Sequence, residues 1–96
     1  MEFEWDDEKN QRNIEKHGVG FEMASQIFNG FTFDAVDERF DYGEMRTISI
    51  GKIDNVAYLA VVHTDRNGNC RIISARQANK KEIKRYDEEI HKAFDA

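Results

Sequence analysis

The pair Asn67-Gly68 constrains the fold of this chain more than any other feature of its sequence. An Asn-Gly pair between two strand-like segments is the strongest short-range signal for a two-residue hairpin turn of type I′. Residues 56–64 before it are apolar on both sides, and Arg71-Ile72-Ile73-Ser74-Ala75-Arg76 follows it. We therefore predict a hairpin that joins a buried central strand to a strand with an arginine at each end.

Two helices are predicted before the sheet. Asp6 or Asp7 can cap a first helix that runs to about His17 and stops at Gly18, because short acidic side chains favour helix starts and glycine favours helix ends. Gly20 opens a second helix, which ends near residue 30.

Strands and a last helix complete the predicted order. Alternating apolar residues predict strands over residues 31–36 and 46–50, separated by an acidic loop over residues 37–44. Asn79 and Glu82 form a variant of the capping box at the start of the last helix. The expected fold is a single α+β domain over residues 1–96, with two N-terminal helices, a four-stranded antiparallel sheet and a C-terminal helix.

Composition predicts a soluble cytoplasmic protein without a cofactor. Of the 96 residues, 40% are hydrophobic, which is enough for one core. The longest apolar run, residues 56–62, is far shorter than the roughly 18 residues of a membrane span, and residues 1–5 do not resemble a signal peptide. Cys70 is the single cysteine, so neither an intrachain disulfide nor a thiolate metal site is expected.

Charge is distributed unevenly along the chain. The net charge is −5, yet residues 1–45 hold 4 lysines and arginines against 12 acidic residues, whereas residues 46–96 hold 10 against 7. Such a segregated field can attract a polyanion at one surface and a basic partner at another. An uneven but purely solvated surface is the alternative.

Counting residues back from the turn predicts which side chains share a face of the sheet. A two-residue turn places Leu59 opposite Arg76, and a second tight turn places Arg46 opposite His63. Arg46, His63 and Arg76 are then expected on one surface. Arg71 falls on the opposite surface unless a bulge redirects it.

Motifs spread over residues 3–86 resemble the BrnT family of bacterial type II toxins, within the RelE/ParE-like superfamily. No single piece is specific, but their ordered combination is. The residues that carry the resemblance are Phe3-Glu4-Trp5-Asp6, Lys9, Asn13, Lys16-His17-Gly18-Val19, Phe21, Ala24, Asp37, Arg39, Tyr42-Gly43-Glu44, Arg46, Arg71 to Arg76, Ala78, Glu82 and Tyr86.

This resemblance implies a ribonuclease that inhibits translation, with or without the ribosome. It also implies an antitoxin of the BrnA type with a ribbon-helix-helix domain, so that operator DNA is bound only indirectly, through the antitoxin. One departure is His63, where the family pattern leads us to expect a tyrosine-like residue on the central strand.

RNA cleavage through attack by the 2′-hydroxyl requires a base, donors for the phosphorane charge and an acid for the leaving oxygen. Arg46, Arg76 and Arg71 can supply the donors, because a guanidinium binds phosphate through two parallel hydrogen bonds. Surface ion pairs with nearby carboxylates are the alternative role for each arginine.

The base and the acid remain open between three residues. His63 or Glu44 can serve as the base, and His63 or Tyr86 as the acid. Each has a structural alternative: His63 as a partly buried histidine at the sheet rim, and Tyr86 as a core residue of the last helix with a solvated hydroxyl.

Further charged residues suggest contacts beyond the reaction centre. Lys16, Lys80 and Lys81 can follow a phosphate backbone or simply form solvated helix faces. The acidic residues of the loop region lack a recognisable metal-binding spacing, and we predict no metal site; they can instead receive a basic antitoxin segment. These residues are Asp34, Asp37, Asp41 and Glu44.

Two further functions fit the same sequence. A toxin-like binding module or corepressor without catalytic activity is compatible with the acidic composition. A toxin directed at gyrase is the other, because a shared fold does not fix the target.

Overall fold

The computed structural model describes residues 1–39, 43–54 and 56–94. Asp41 and Tyr42, in the predicted acidic loop, and Asn55, in the second predicted tight turn, lie outside the described residues. The elements are β1 (Phe3–Glu4), α1 (Asp7–His17), α2 (Phe21–Ser25), a 3-10 turn (Gln26–Asn29), β2 (Thr32–Val36), β3 (Thr47–Ile53), β4 (Ala57–Arg66), β5 (Asn69–Gln77) and α3 (Lys80–Phe94).

The predicted boundaries of α1 and the predicted start of α3 are confirmed. Asp6 caps α1 by accepting a hydrogen bond from the backbone N–H of Lys9 at 3.0 Å, and Gly18 ends this helix with φ of 72°. At the start of α3, the side chains of Asn79 and Glu82 each accept from the other's backbone N–H at 2.9 Å. Both helices thus satisfy N–H groups that have no partner inside the helix.

Within residues 1–39, 43–54 and 56–94 the sheet has five strands in the order β1-β5-β4-β3-β2, so the prediction of four antiparallel strands was wrong in its count and in one direction. β1 pairs parallel with β5, with Phe3 beside Cys70 and Glu4 beside Arg71. A two-residue strand is too short to show an alternating pattern, and its partner lies more than sixty residues away. Only the α+β class and the four antiparallel strands were accessible from the sequence.

The hairpin turn is confirmed, but the pairing beyond it differs from the prediction. Asn67 and Gly68 have φ of 57° and 85°, as a type I′ turn requires. Pairing runs regularly as far as His63 with Ile72 and then shifts by one residue, so that Arg76 lies opposite Ala60 instead of Leu59. This shift is a β-bulge in β5.

A second register difference separates Arg46 from His63. His63 pairs with Thr47, not with Arg46, so Arg46 points to the other face of the sheet. The prediction that Arg46, His63 and Arg76 share one surface was therefore wrong. That prediction assumed strand pairing without a bulge and a turn length that the sequence does not determine.

Each face of the sheet packs against different helical segments. The α2 face is defined by Leu59, Val61 and Ile72, which form a core with Phe21 and Ile27. At its centre Gly51 leaves room for Ile27, because a Cβ at that glycine would lie 2.7 Å from the Cβ of Ile27.

The α3 face lies on the opposite side of the sheet. Ile50 and Ala60 form its core with Tyr86 of α3. None of the helices in the described part of the chain is both long and apolar enough to cross a membrane.

Candidate phosphate-binding site on the α3 face

The β-bulge brings Arg71 and Arg76 to the same face of the sheet. Arg71 lies opposite Thr64 and Arg76 opposite Ala60, and both partners point to the α3 face. These partners are four positions apart on β4, which corresponds to about 13 Å between the two arginine positions. Both arginines therefore belong to one surface of the sheet.

Arg76 is held by Glu82 in a two-pronged ion pair. Its Nη1 and Nη2 donate to Oε1 and Oε2 of Glu82 at 2.7 and 2.9 Å. The hydrogen bonds from Arg76 lower the pKa of Glu82, and the same contact raises the pKa of Arg76. Because Glu82 also caps α3, it fixes Arg76 relative to the start of that helix.

Arg71 pairs with Glu4 across the junction of β5 and β1. Its Nη1 lies 2.6 Å from Oε2 of Glu4, whose other oxygen accepts a hydrogen bond from Asn69 at 3.2 Å. These two hydrogen bonds, the one from Arg71 first, lower the pKa of Glu4. The short parallel strand β1 thus supplies the carboxylate that orients Arg71.

Arg46 continues the same row of side chains across the sheet. Thr64 donates to the backbone carbonyl of Met45 at 2.7 Å and so holds the start of β3 beside β4. Glu44 lies 3.6 Å from Nε of Arg46 and 3.1 Å from Nη2 of Arg66. One carboxylate therefore contacts two guanidinium groups at this end of the sheet.

Arg39 adds a fifth guanidinium next to this row. Its Nε and Nη2 donate to the two carboxylate oxygens of Asp37 at 2.8 and 3.0 Å, and Asp37 is buried. Arg39 also lies near the pair of Arg76 and Glu82: its charge makes a small contribution against the raised pKa of Arg76 and a small contribution towards the lowered pKa of Glu82. We name these five residues the arginine surface: Arg39, Arg46, Arg66, Arg71 and Arg76.

His63 lies on the other face of the sheet. Its ring packs edge-on against Phe28 of the 3-10 turn, with 5.0 Å between ring centroids. Its Nε2 is 2.7 Å from Oγ of Ser49, which lies 2.5 Å from Oδ1 of Asp34. This chain of three side chains does not include any member of the arginine surface.

The donor roles in this chain follow from its chemistry. The carboxylate of Asp34 only accepts, so the hydroxyl of Ser49 donates to it, and Nε2 of His63 then donates to Ser49. Ser49 is fully buried. Burial also lowers the pKa of His63, with a smaller opposing effect from the charge of Asp34. These three hydrogen-bonded side chains therefore have the features of a structural element.

Tyr86 lies in the core beneath α3, and its hydroxyl donates to the backbone carbonyl of Phe31 at 3.2 Å. Its ring contacts Phe31 and Tyr58 edge to face, and burial raises its pKa. The structure therefore places Tyr86 among the packing residues of the α3 face.

The predicted RNA-binding lysines divide between two locations. Lys80 and Lys81 are exposed in the first turn of α3, close in sequence to Glu82 and its partner Arg76. Lys16 is exposed in the last turn of α1. Only the first two lie beside the arginine surface.

Sequence reasoning missed several members of this site. Arg66 was treated only as the residue before the hairpin turn, although it has the same strand parity as Thr64. Glu4 and Glu82 were not recognised as ion-pair partners. The signal for Glu82 was present in its position six residues after Arg76, whereas the pairing of Glu4 depends on a contact 67 residues away.

The fold and the arginine surface together define a small α+β protein whose sheet presents several guanidinium groups suited to phosphate. The model of a family described as "Ribonuclease toxin, BrnT, of type II toxin-antitoxin system" matches residues 5–82. The chain belongs to this family, as its sequence motifs predicted.

A solved structure supports the same relationship. The chain is similar to the crystal structure of the Brucella abortus ribonuclease toxin BrnT, with 27% sequence identity and a TM-score of 0.63. The similarity covers 83% of this chain and 99% of that one. A search among curated proteins gave no match.

Proposed function

We propose that this protein is the toxin of a type II toxin-antitoxin pair and cleaves RNA through the arginine surface. The observation that carries the proposal is the β-bulge, because it brings Arg71 and Arg76 to one face beside Arg46. Family membership and the likeness to a ribonuclease toxin support the choice of RNA.

The proposed reaction does not use a metal ion. The 2′-hydroxyl of the substrate loses its proton to the general base and attacks the adjacent phosphorus. The bond from phosphorus to the 5′-oxygen breaks as solvent water gives that oxygen a proton. The products are a 2′,3′-cyclic phosphate and a free 5′-hydroxyl. Arg46, Arg71 and Arg76 stabilise the negative charge that grows on the phosphoryl oxygens.

Glu44 is the residue we propose as the general base. Its carboxylate lies between Arg46 and Arg66, so a phosphate held by Arg46 brings a neighbouring 2′-hydroxyl near it. His63 and Tyr86, the other sequence candidates, lie outside the arginine surface, and we assign them structural roles instead.

The carboxylates of the site favour ordered guanidinium groups before RNA binds. Arg76 and Arg71 are partly exposed, with 35% and 24% of their side chains accessible, so incoming phosphates can reach them without a large desolvation cost. A bound phosphate then shares the guanidinium group with Glu82 or Glu4, or replaces that carboxylate. Such binding releases counterions and is expected to weaken with salt.

The biological setting follows the family. We propose that the toxin acts in the cytoplasm, that RNA cleavage inhibits translation, and that a BrnA-type ribbon-helix-helix antitoxin neutralises it. Operator DNA is then contacted through the antitoxin. Kinship with RelE/ParE-like toxins remains a prediction.

A non-catalytic binding module is the second candidate function. The observation in its favour is that the resident carboxylates already occupy donors of Arg39, Arg71 and Arg76. A toxin that only binds its antitoxin needs no open phosphate site.

Purified protein tests the proposal directly. It should cut a defined RNA in the presence of EDTA and leave 2′,3′-cyclic phosphate ends, and its expression without antitoxin should stop growth. Protein with Arg76→Ala, purified identically, reports contaminating ribonuclease. Intact RNA together with normal growth, from folded protein, would favour the binding module.

A further inference from the structure

The two edge strands of the sheet differ in how they are covered. The β5 edge is closed by β1 and then by the side chain of Asn13, whose amide donates to the carbonyl of Ala75 at 2.7 Å and accepts from its N–H at 3.2 Å. The β2 edge has no such cover in the described part of the chain, where β2 pairs with β3 alone. An uncovered edge strand is a template for strand addition.

The ladder indicates which backbone groups of β2 face outward. The N–H of Asp37 donates to the carbonyl of Arg46 at 2.8 Å, so that pair is hydrogen bonded within the sheet. Hydrogen-bonded and non-bonded pairs alternate in an antiparallel ladder. Thr32, Asp34 and Val36 therefore direct their N–H and C=O groups away from β3.

An apolar groove of about 440 Å³ runs beside this edge. Its floor is formed by side chains of β2 and β3, and its wall by α3. The lining residues that matter here are Phe33, Ala35, Ile48, Lys81, Lys84 and Arg85. The guanidinium of Arg85 already lies over the ring of Phe33, 5.0 Å from its centroid.

The chemistry of edge and groove selects the class of occupant. Unpaired N–H and C=O groups in register match another polypeptide strand, with alternate side chains entering an adjacent pocket. RNA lacks that backbone pattern. On the wall, Glu82 is paired with Arg76 and Arg85 with Glu89, which leaves Lys81 and Lys84 against Glu88. This net positive charge favours acidic residues in the occupant, placed between apolar residues that fill the floor.

We propose that an extended segment of the antitoxin, with alternating apolar and acidic residues, adds to β2 as a sixth strand and fills this groove. The inference rests on the proposed function insofar as it takes the antitoxin as the partner. Glu82 lines the groove and also holds Arg76. A segment docked there lies against the arginine surface and blocks the approach of RNA.

Amide hydrogen exchange, measured by NMR on the purified toxin alone and in complex with the antitoxin from the same operon, tests the strand pairing. The N–H groups of Thr32, Asp34 and Val36 should exchange more slowly in the complex. Phe33 and Ala35, already bonded to β3, should change little. Unchanged exchange at all three outward amides would overturn the proposal, as would protection confined to α3.

A substitution at one position supplies the second test. Val36→Pro removes an outward N–H while leaving the bonds to β3 intact, and Val36→Thr keeps that N–H in a strand-compatible side chain. We expect Val36→Pro to weaken antitoxin binding at least tenfold in calorimetry, and Val36→Thr to bind normally. Equal binding by both variants, each shown to melt cooperatively, would contradict strand addition.

These outcomes separate the docking site from the enzymatic activity. Binding is measured without RNA, so a toxin that fails to cleave can still confirm or refute the docking site. Conversely, folded Val36→Pro should retain RNA cleavage and escape neutralisation. If Val36→Pro does not fold, the exchange pattern of the unmodified complex decides alone.

Discussion

The two faces of the sheet carry polar groups of opposite character. On the α3 face, partly exposed arginines pair with carboxylates that solvent or a ligand can replace. On the α2 face, His63 and the fully buried Ser49 join Asp34 in a chain packed against Phe28. The first arrangement can exchange partners with a phosphate ligand, whereas the second is built around the fully buried Ser49.

The two faces differ in what a substitution there is expected to change. Charges that remain accessible contribute little to stability and are free to bind substrate, while buried hydrogen bonds are costly to remove. Substitutions on the α3 face should therefore change cleavage more than stability, and those on the α2 face should do the reverse.

The largest effect is expected for Arg76→Ala. Loss of one charge-stabilising donor should lower the rate of RNA cleavage by roughly 10²- to 10³-fold, with little change in the melting temperature. Arg12→Ala, on an exposed part of α1, is the control and should cleave normally. Equal rates for both variants would remove Arg76 from the reaction.

Among substitutions that remove buried hydrogen bonds, Asn13→Ala should give the largest loss of stability. The buried side chain of Asn13 bonds to Val19 and twice to Ala75, and its removal leaves three backbone groups to find water. We expect the free energy of unfolding in urea to fall by about 3 kcal/mol. The control Gln11→Ala, at an exposed position, should change it by less than about 0.5 kcal/mol.

The sequence was sufficient for most local structure. Caps at Asp6, Gly18 and Asn79 and the Asn67-Gly68 turn depend on neighbours within a few residues, and all were found in place. Strand β1 was missed because its two residues pair with a strand distant in sequence.

The candidate site was predicted only in part. Arg46, Arg71 and Arg76 were named as candidates, but their grouping was wrong because one extra residue in β5 reverses the parity of Arg76 relative to His63. A bulge leaves no mark in an apolar segment such as Ile72-Ile73. Partners such as Glu4 depend on the tertiary fold.

A moderate effect is expected when His63 is replaced. His63→Leu removes the donor to Ser49 and should lower the free energy of unfolding by about 1 kcal/mol, whereas His63→Gln retains an N–H near the same position. Both folded variants should cleave RNA at close to the normal rate, without the roughly 10²- to 10⁴-fold loss of rate that follows removal of a general base. A loss of that size in both would place His63 in the reaction and undo the contrast between the faces.

The smallest effect is the pH dependence that His63 gives to stability. Burial holds its pKa below the ordinary 6.5, so between these two values the unfolded chain binds more protons than the folded one. The free energy of unfolding should therefore fall as pH drops below about 6.5 and stop falling, for this group, once the folded-state pKa is passed. Urea unfolding at a series of pH values measures this dependence.

His63→Gln, which keeps the hydrogen bond but cannot titrate, is the control. It should remove the change in unfolding free energy over this pH range. The separate loss of stability from Glu82, whose pKa is lowered by Arg76, should remain at more acidic pH. An unchanged slope in His63→Gln would assign the dependence to another group and weaken the case that the α2 face is held by a neutral, partly buried histidine.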